Sequence, residues 1–435
     1  MDPGPVKIFT DNNVPRLRYI AGIILSDIMG LRWELVTDKR KLGRNPVINY
    51  SEKKVENAFN IYPSGLLFEQ DTREITLSVS YWKSLPVFFQ APPGYDLPFD
   101  IFAASFYMIS RYEEYLPFEP DEHGRFRGKD SFACRNGFLM KPVVDLWARE
   151  WEECLIRKFH NLAFKRNDFH SLVTFDIDQP FKFLGKDIIR SLGGLFLDLG
   201  KKTGEAAERY RIYTKGEKDP WDVFDYLTDK VKESGVPARF FVPVGDRTEF
   251  DVQPSWHNDD YRSLIIRIMD EFPIGLHPSY LASIQQSRTL SEASRLKDIS
   301  GSGVVSSRFH FLRLSMPQSY RNLIAAGISE DYSLGFADEP GFRAGIARPF
   351  SFYDLLSEEE TDLKIIPFQS MDVTLSRYRN MDHDMAFDTI KKLVDEVREV
   401  GGFFVSIWHN TTLLEDEEGM KWRQVFEKML EIQSS

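Results

Sequence analysis

The run of apolar and polar positions divides the chain into an irregular opening and a long remainder in which strand-like and helix-like segments alternate. Residues 6–10, 33–37 and 47–50 are short β-branched or aromatic runs that read as strands, and residues 15–29 carry the spacing of a helix. A strand pair is expected around residues 75–79 and 85–90, between two turn-rich segments. Asp100 is placed to cap a helix reaching about Tyr115, with Phe102, Phe106 and Ile109 on one stripe. The polar cluster from Arg111 to Tyr115 reads as its solvated end, with an interdomain contact as the next reading. A charged, glycine-punctuated loop over 121–137 and an amphipathic helix over 142–159 follow, and the domain boundary is placed near Asn167. The expected partition is 1–166, a smaller α/β or α+β domain, and 167–435.

Beyond that boundary the pattern predicts strands at 170–177, 238–243, 274–277, 307–312 and 403–410, separated by helices at 220–234, 261–271, 289–300, 318–326 and 385–400. Residues 350–356 and 363–367 are expected to resume the same sheet. Residues 181–213 read as an inserted helical hairpin. Strands alternating with helices imply a mainly parallel sheet or barrel.

Composition narrows the function classes. The chain has 435 residues, 66 acidic against 55 basic, a net charge of −11, and no long block of one sign. Such a balance disfavours a nucleic-acid backbone or an anionic membrane as the main partner, and no apolar stretch is long enough to span a bilayer. Two cysteines, Cys134 and Cys154, are too few for a disulfide framework or a thiolate zinc site. With no secretory leader at the start of the sequence, a cytoplasmic location is expected.

The candidate chemistry gathers at strand ends. Ser171-Leu172-Val173-Thr174-Phe175-Asp176-Ile177-Asp178 is an apolar run that ends in two carboxylates. Side chains at i and i+2 share a face of a strand, so Asp176 and Asp178 point into one small space, suited to a general base beside a metal ligand. Ile274-Gly275-Leu276-His277 and Ser406-Ile407-Trp408-His409 each present a histidine at the end of an apolar run. Asp372 is a candidate to orient His409, although a solvated strand-end acid is its simpler reading.

These segments, in this order, resemble the polysaccharide deacetylase family of NodB homology over residues 167–430. Thr174-Phe175-Asp176-Ile177-Asp178 is similar to that family's T-F-D-D-G, and Gly235-Val236-Pro237-Ala238-Arg239-Phe240-Phe241-Val242 to its G-(I/V)-P-A-T-F-F-V. Ile274-Gly275-Leu276-His277-Pro278-Ser279 is similar to E-I-G-x-H-(S/T), and Ser406-Ile407-Trp408-His409 to L-x-L-H. The resemblance implies a distorted (β/α) barrel and a metal-dependent hydrolase that removes an N-acetyl group from an amino sugar or glycan precursor. It implies a divalent ion, zinc or similar, on Asp178 and His277, Asp176 as base, His409 as acid, and Arg343, in Gly341-Phe342-Arg343, as the arginine orienting the base. Two departures stand out. The family's second metal histidine falls on Leu281, which leaves His310, in the run Ser307 to Leu312, as the candidate third ligand, with a core histidine bonded to a carbonyl as the equal alternative, and D-x-D replaces D-D, which leaves the roles of Asp176 and Asp178 exchangeable. A barrel without catalysis that binds a glycan or a protein is the alternative.

Overall fold

In the computed structural model, which describes residues 4–185 and 205–434, the chain forms two compact units. The first comprises residues 1–170, 334–369 and 395–404, and the second residues 171–333, 370–394 and 405–435.

The first unit is built on four parallel strands, β1 (Val6–Thr10), β2 (Trp33–Val36), β3 (Val47–Tyr50) and β4 (Phe59–Ile61), in the order β2-β1-β3-β4. The helix expected at 15–29 starts with Pro15 at its first turn and widens after Ala21 into a π-helical stretch to Ile28. The hairpin expected at 75–90 is shorter: β5 (Ser80–Trp82) pairs with β6 (Leu85–Val87). Lys83 and Ser84 both take positive φ, so they form the two-residue turn that sets the register.

Asp100 caps the helix Ile101–Ile109 by accepting the Ala103 N–H at 3.0 Å. That helix stops before Tyr115, because Arg111 turns left-handed (φ 55°) and a short 3-10 turn follows. Its end is buried, contrary to the solvated reading: Arg111 bonds Glu113 and Glu114 at 2.8 Å each inside the core.

The second unit holds β7 (His170–Asp176), β8 (Ala238–Val242), β9 (Ile274–Leu276), β10 (Ser306–Ser307) and β11 (Glu330–Asp331). β12 (Phe350–Asp354) and β13 (Glu359–Ile365) form strands where expected, paired with each other as an antiparallel hairpin that counts with the first unit. β14 (Ser370–Met371) and β15 (Phe403–His409) return to the second, where the order is β11-β10-β9-β8-β7-β15-β14. β7 thus lies between its sequence neighbour and the last strand of the chain. Among the described residues no pairing joins β14 to β11. The inserted hairpin expected at 181–213 falls largely on 186–204, outside the described residues; a helix, Glu205–Lys215, closes that stretch.

The strands hold their register through one apolar layer. Phe175 stacks on Phe240 with ring centroids 4.7 Å apart, and Phe426 meets both Phe175 and Trp408. Thr174, buried among these groups, donates to the Ser406 carbonyl at 2.6 Å and ties β7 to β15. Gly275 lets β9 approach closely: a Cβ there would lie 2.6 Å from Ser306 Oγ and 2.7 Å from the Phe241 ring.

Glu292, on the helix Gln286–Ser300, is buried and accepts the backbone N–H of Ser279 at 2.8 Å and the Ser279 hydroxyl. Burial raises its pKa from 4.5 to about 7, against the lowering effect of the two Ser279 bonds. Between these values the unfolded chain has released the proton that the folded chain keeps, so stability falls as pH rises through this window, by up to about 3 kcal/mol. Urea unfolding across that range is expected to show this slope in the parent and a flatter one in Glu292→Gln, whose amide mimics the protonated acid. Equal slopes in the two proteins would show that Glu292 ionises normally.

Candidate metal centre with flanking acid and base

The carboxyl ends of β7, β9 and β15 and the turn after β10 deliver the candidate residues to one place in the second unit. β7 ends at Asp176, and two residues later Asp178 sits among three imidazoles. His277 Nε2 is 2.9 Å from Asp178 Oδ1, while the Nε2 atoms of His310 and His409 are each 3.6 Å from Asp178 Oδ2. Asp178, His277 and His310 offer ligand atoms that all lie within 4.8 Å of one another. His277 and Asp178 are close without hydrogen-bond geometry: among the described residues, Asp178 Oδ1 and both ring nitrogens of His277 are buried with no hydrogen-bond partner. Buried polar atoms left this way in a native site call for an explanation such as an ion.

Charge balances around the cluster. Burial by itself would raise the pKa of Asp178, but His310 and His277 outweigh it and hold the carboxyl well below the usual range. Burial disfavours the charged form of His310, and the carboxylates of Asp178 and Asp251 reverse this, pushing it up to about 10.

Asp176 has a different setting. Arg308 donates from Nη1 to its Oδ1 at 2.8 Å, and the Arg308 Nε bonds the Tyr332 carbonyl at 3.1 Å. Arg308 is fully buried, its guanidinium 4.4 Å over the Phe241 ring. His409 Nε2 lies 4.0 Å from Asp176 Oδ2, and its Nδ1 lies 2.8 Å from Asp372 Oδ1. Asp372 is buried and also accepts the His409 backbone N–H at 2.8 Å, so it is an orienting acid and not the solvated strand end expected.

Of the seven residues singled out from the sequence, six are thus brought together: Asp176, Asp178, His277, His310, His409 and Asp372. Arg343 is not among them. It lies in the first unit, donates to both oxygens of Glu114 at 2.9 and 2.6 Å, and bonds the Gly335 carbonyl at 2.7 Å. The segment that carries it folds with residues 1–170, and the arginine on Asp176 is Arg308, which the sequence reading passed over. His310 lies in a 3-10 turn, His310–Leu312, and not in the strand expected, because β10 ends after Ser307. Leu281 lies in a turn, partly buried. Asp178 and His409 retain partial exposure, 23% and 13% of their side chains, so the cluster is open to a ligand on that side. Cys134 and Cys154 form no disulfide, and no helix among the described residues is long and apolar enough to cross a membrane.

Against known proteins, residues 6–160 match a family of unknown function, DUF7033. No curated protein matches the chain. Among solved structures, the chain is similar to a protein from Mycobacterium smegmatis assigned as a polysaccharide deacetylase, at 14% identity and a TM-score of 0.39, over 61% of this chain and 85% of that one. It is similar to the allantoinase PuuE at 11% identity and a TM-score of 0.38, over 61% and 84%. A 4-alpha-glucanotransferase from Thermococcus litoralis matches at 14% identity and a TM-score of 0.36, over 62% of this chain but only 38% of that enzyme. At these scores the likenesses carry no argument about activity.

The Asp372–His409 pair yields a prediction. Burial lowers the His409 pKa, but Asp372, followed by Asp178 and Asp176, outweighs it and raises the pKa from 6.5 to about 9. The stabilisation from this histidine is complete below 6.5 and is lost as pH rises through about 9, at most about 3 kcal/mol. With a chelator present, unfolding midpoints of the parent are expected to fall across this window, and those of His409→Gln to lose that component. A parent whose stability is level from pH 6.5 to 9 would count against a charged His409.

Proposed function

We propose that the second unit is a metal-dependent hydrolase that removes an N-acetyl group from an amino sugar or glycan precursor, on a parallel sheet curled towards an open (β/α) barrel. The observation that carries this reading is the convergence on Asp178 of His277 and His310, with buried ligand atoms left without hydrogen bonds. One carboxylate and two imidazoles suit zinc or a similar divalent ion, with room for water and substrate at the remaining positions. Such an ion, when bound, would polarise the amide carbonyl and acidify a water molecule.

The residues beside it divide the proton work. Asp176, held by Arg308, takes the water's proton as general base. His409, held in orientation by Asp372 through Nδ1, presents Nε2 and delivers a proton to the departing nitrogen, becoming neutral as it does so. This assigns Asp178 as ligand and Asp176 as base, because Asp178 faces the imidazoles and Asp176 faces a fixed cation. The alternative, a barrel that only binds a glycan or protein, rested on Leu281 standing in the family's ligand place. With His310 in reach of Asp178, and with acid and base each backed by a buried partner, that argument weakens.

The purified protein is expected to hold about one zinc, cobalt or nickel ion per chain, lost in Asp178→Ala and His277→Ala. Assayed for acetate release from N-acetylated amino-sugar oligomers, Asp176→Asn and Arg308→Met are expected to keep the ion and lose on the order of 10²–10⁴-fold in kcat. A parent that takes up no ion when these metals are supplied would overturn the hydrolase reading.

A further inference from the structure

His310 reaches the cluster from a turn with little freedom of its own. Its backbone N–H bonds the Pro278 carbonyl at 3.1 Å, and the next two residues, Phe311 and Leu312, are both left-handed (φ 58° and 53°), a conformation that side-chain-bearing residues adopt only when their surroundings hold them. The ring alone could still pivot about χ2 and present either nitrogen.

A second carboxylate removes that freedom. Asp251 is 1% exposed, and its Oδ1 lies 2.9 Å from His310 Nδ1. The same oxygen accepts the Tyr280 N–H at 2.9 Å, and Oδ2 accepts the Thr248 hydroxyl at 2.7 Å. Thr248 Oγ1 in turn accepts the N–H of Asp251 at 3.0 Å. Aromatic contacts bind the three segments together: Phe250 stacks on Tyr280 at 4.1 Å, and Phe311 packs edge-on against both. An anion already fixed by two donors accepts from His310 Nδ1–H, which leaves Nε2 as the nitrogen turned to the cluster, and Nε2 is the atom 3.6 Å from Asp178 Oδ2.

We propose that Asp251 is the positioning residue that makes His310 a ligand, fixing its tautomer and ring plane so that Nε2 completes the divalent-ion site from a turn outside the family's histidine motif. The proposal rests on the metal-site reading above. Carboxylate support of this kind both orients an imidazole and raises its basicity towards an ion, and its loss typically weakens metal affinity 10–100-fold. Among the described residues His277 has no hydrogen-bond partner on Nδ1, so of the two imidazoles His310 is the one seen held from behind.

The test measures zinc and cobalt affinity of the full chain by competition with a chromophoric chelator, together with the cobalt absorption bands. Asp251→Ala is expected to bind about 10–100-fold more weakly, with altered cobalt bands. Asp251→Asn, which keeps an acceptor oxygen for Nδ1–H without the charge, is expected to lose less, and it is the variant to read if Asp251→Ala does not fold. Glu292→Gln, which perturbs the same Ser279 loop without touching His310, is expected to stay within about threefold of the parent. Parent-like affinity in Asp251→Ala, or in a folded Asp251→Asn where the alanine variant is lost, would overturn the role of Asp251 and leave the metal site standing. An equal loss in Glu292→Gln would also overturn it, since the effect would then run through the loop. A parent that binds neither ion would overturn the metal-site reading and this proposal together.

Discussion

The cost of keeping carboxylates away from water governs the second unit. β7 carries Asp176 to the end of a buried strand, and Asp178 follows at once, so two anions stand where burial favours neither charge. Each is stable there only because opposite charge is built around it: Arg308 on Asp176, and His310 and His409 around Asp178. The two imidazoles are answered in turn by a further layer of buried acids, Asp251 behind His310 and Asp372 behind His409. The result is an alternating set of charges in which removal of any one member leaves a neighbour exposed to the full desolvation penalty.

This constraint also explains what was legible in the sequence. β7, β8 and β15 stood out because buried parallel strands are continuous apolar runs, and the functional groups at their ends interrupt those runs visibly. β10 and β11 are two residues each, too short for any periodicity, which is why His310 was expected in a strand and lies in a turn. Arg343 was misassigned because an arginine between glycine and small residues carries no mark of its partner. That the segment 334–369 folds with the first unit is a fact of tertiary contact, not of local pattern. Arg308 did leave a signal: a cation inside the apolar run Ser307 to Leu312 must find a buried anion, and the nearest candidates were the strand-end aspartates. Asp251 left none, since an acid in a loop is ordinary until its neighbours are known.

The first unit obeys the same rule without evident chemistry. Arg111, Glu113, Glu114 and Arg343 form a buried network whose charges cancel in pairs, closed by the Arg111 bond to the Arg343 carbonyl. The polar run at residues 111–115 looked solvated because helix ends usually are. Here a left-handed Arg111 turns the chain inward, and Arg343, which completes the pairing of Glu114, comes from more than two hundred residues away. A buried ion network of this kind fixes which segments meet rather than adding much stability, since its Coulomb gain is largely offset by desolvation.

The placement of His310 shows how the two demands, stability and chemistry, are met by the same groups. A histidine taken from a helix turn would have its direction set by regular backbone, whereas one taken from the 310–312 turn has to be aimed by contacts from outside it. Phe311 and Leu312 hold a strained backbone, and Asp251, Thr248 and Tyr280 supply the surroundings that make the strain tolerable. In the metal-free protein the same arrangement serves a second purpose: with its pKa pushed up to about 10, chiefly by Asp178 against the effect of burial, His310 stays protonated and neutralises the carboxylates around it. A divalent ion would have to displace that proton, so its affinity would strengthen as pH rises. Under the proposed reading, protons would hold the cluster together without metal and coordination would do so with it, and the carboxylates that stabilise the first state would be the ones that orient the second.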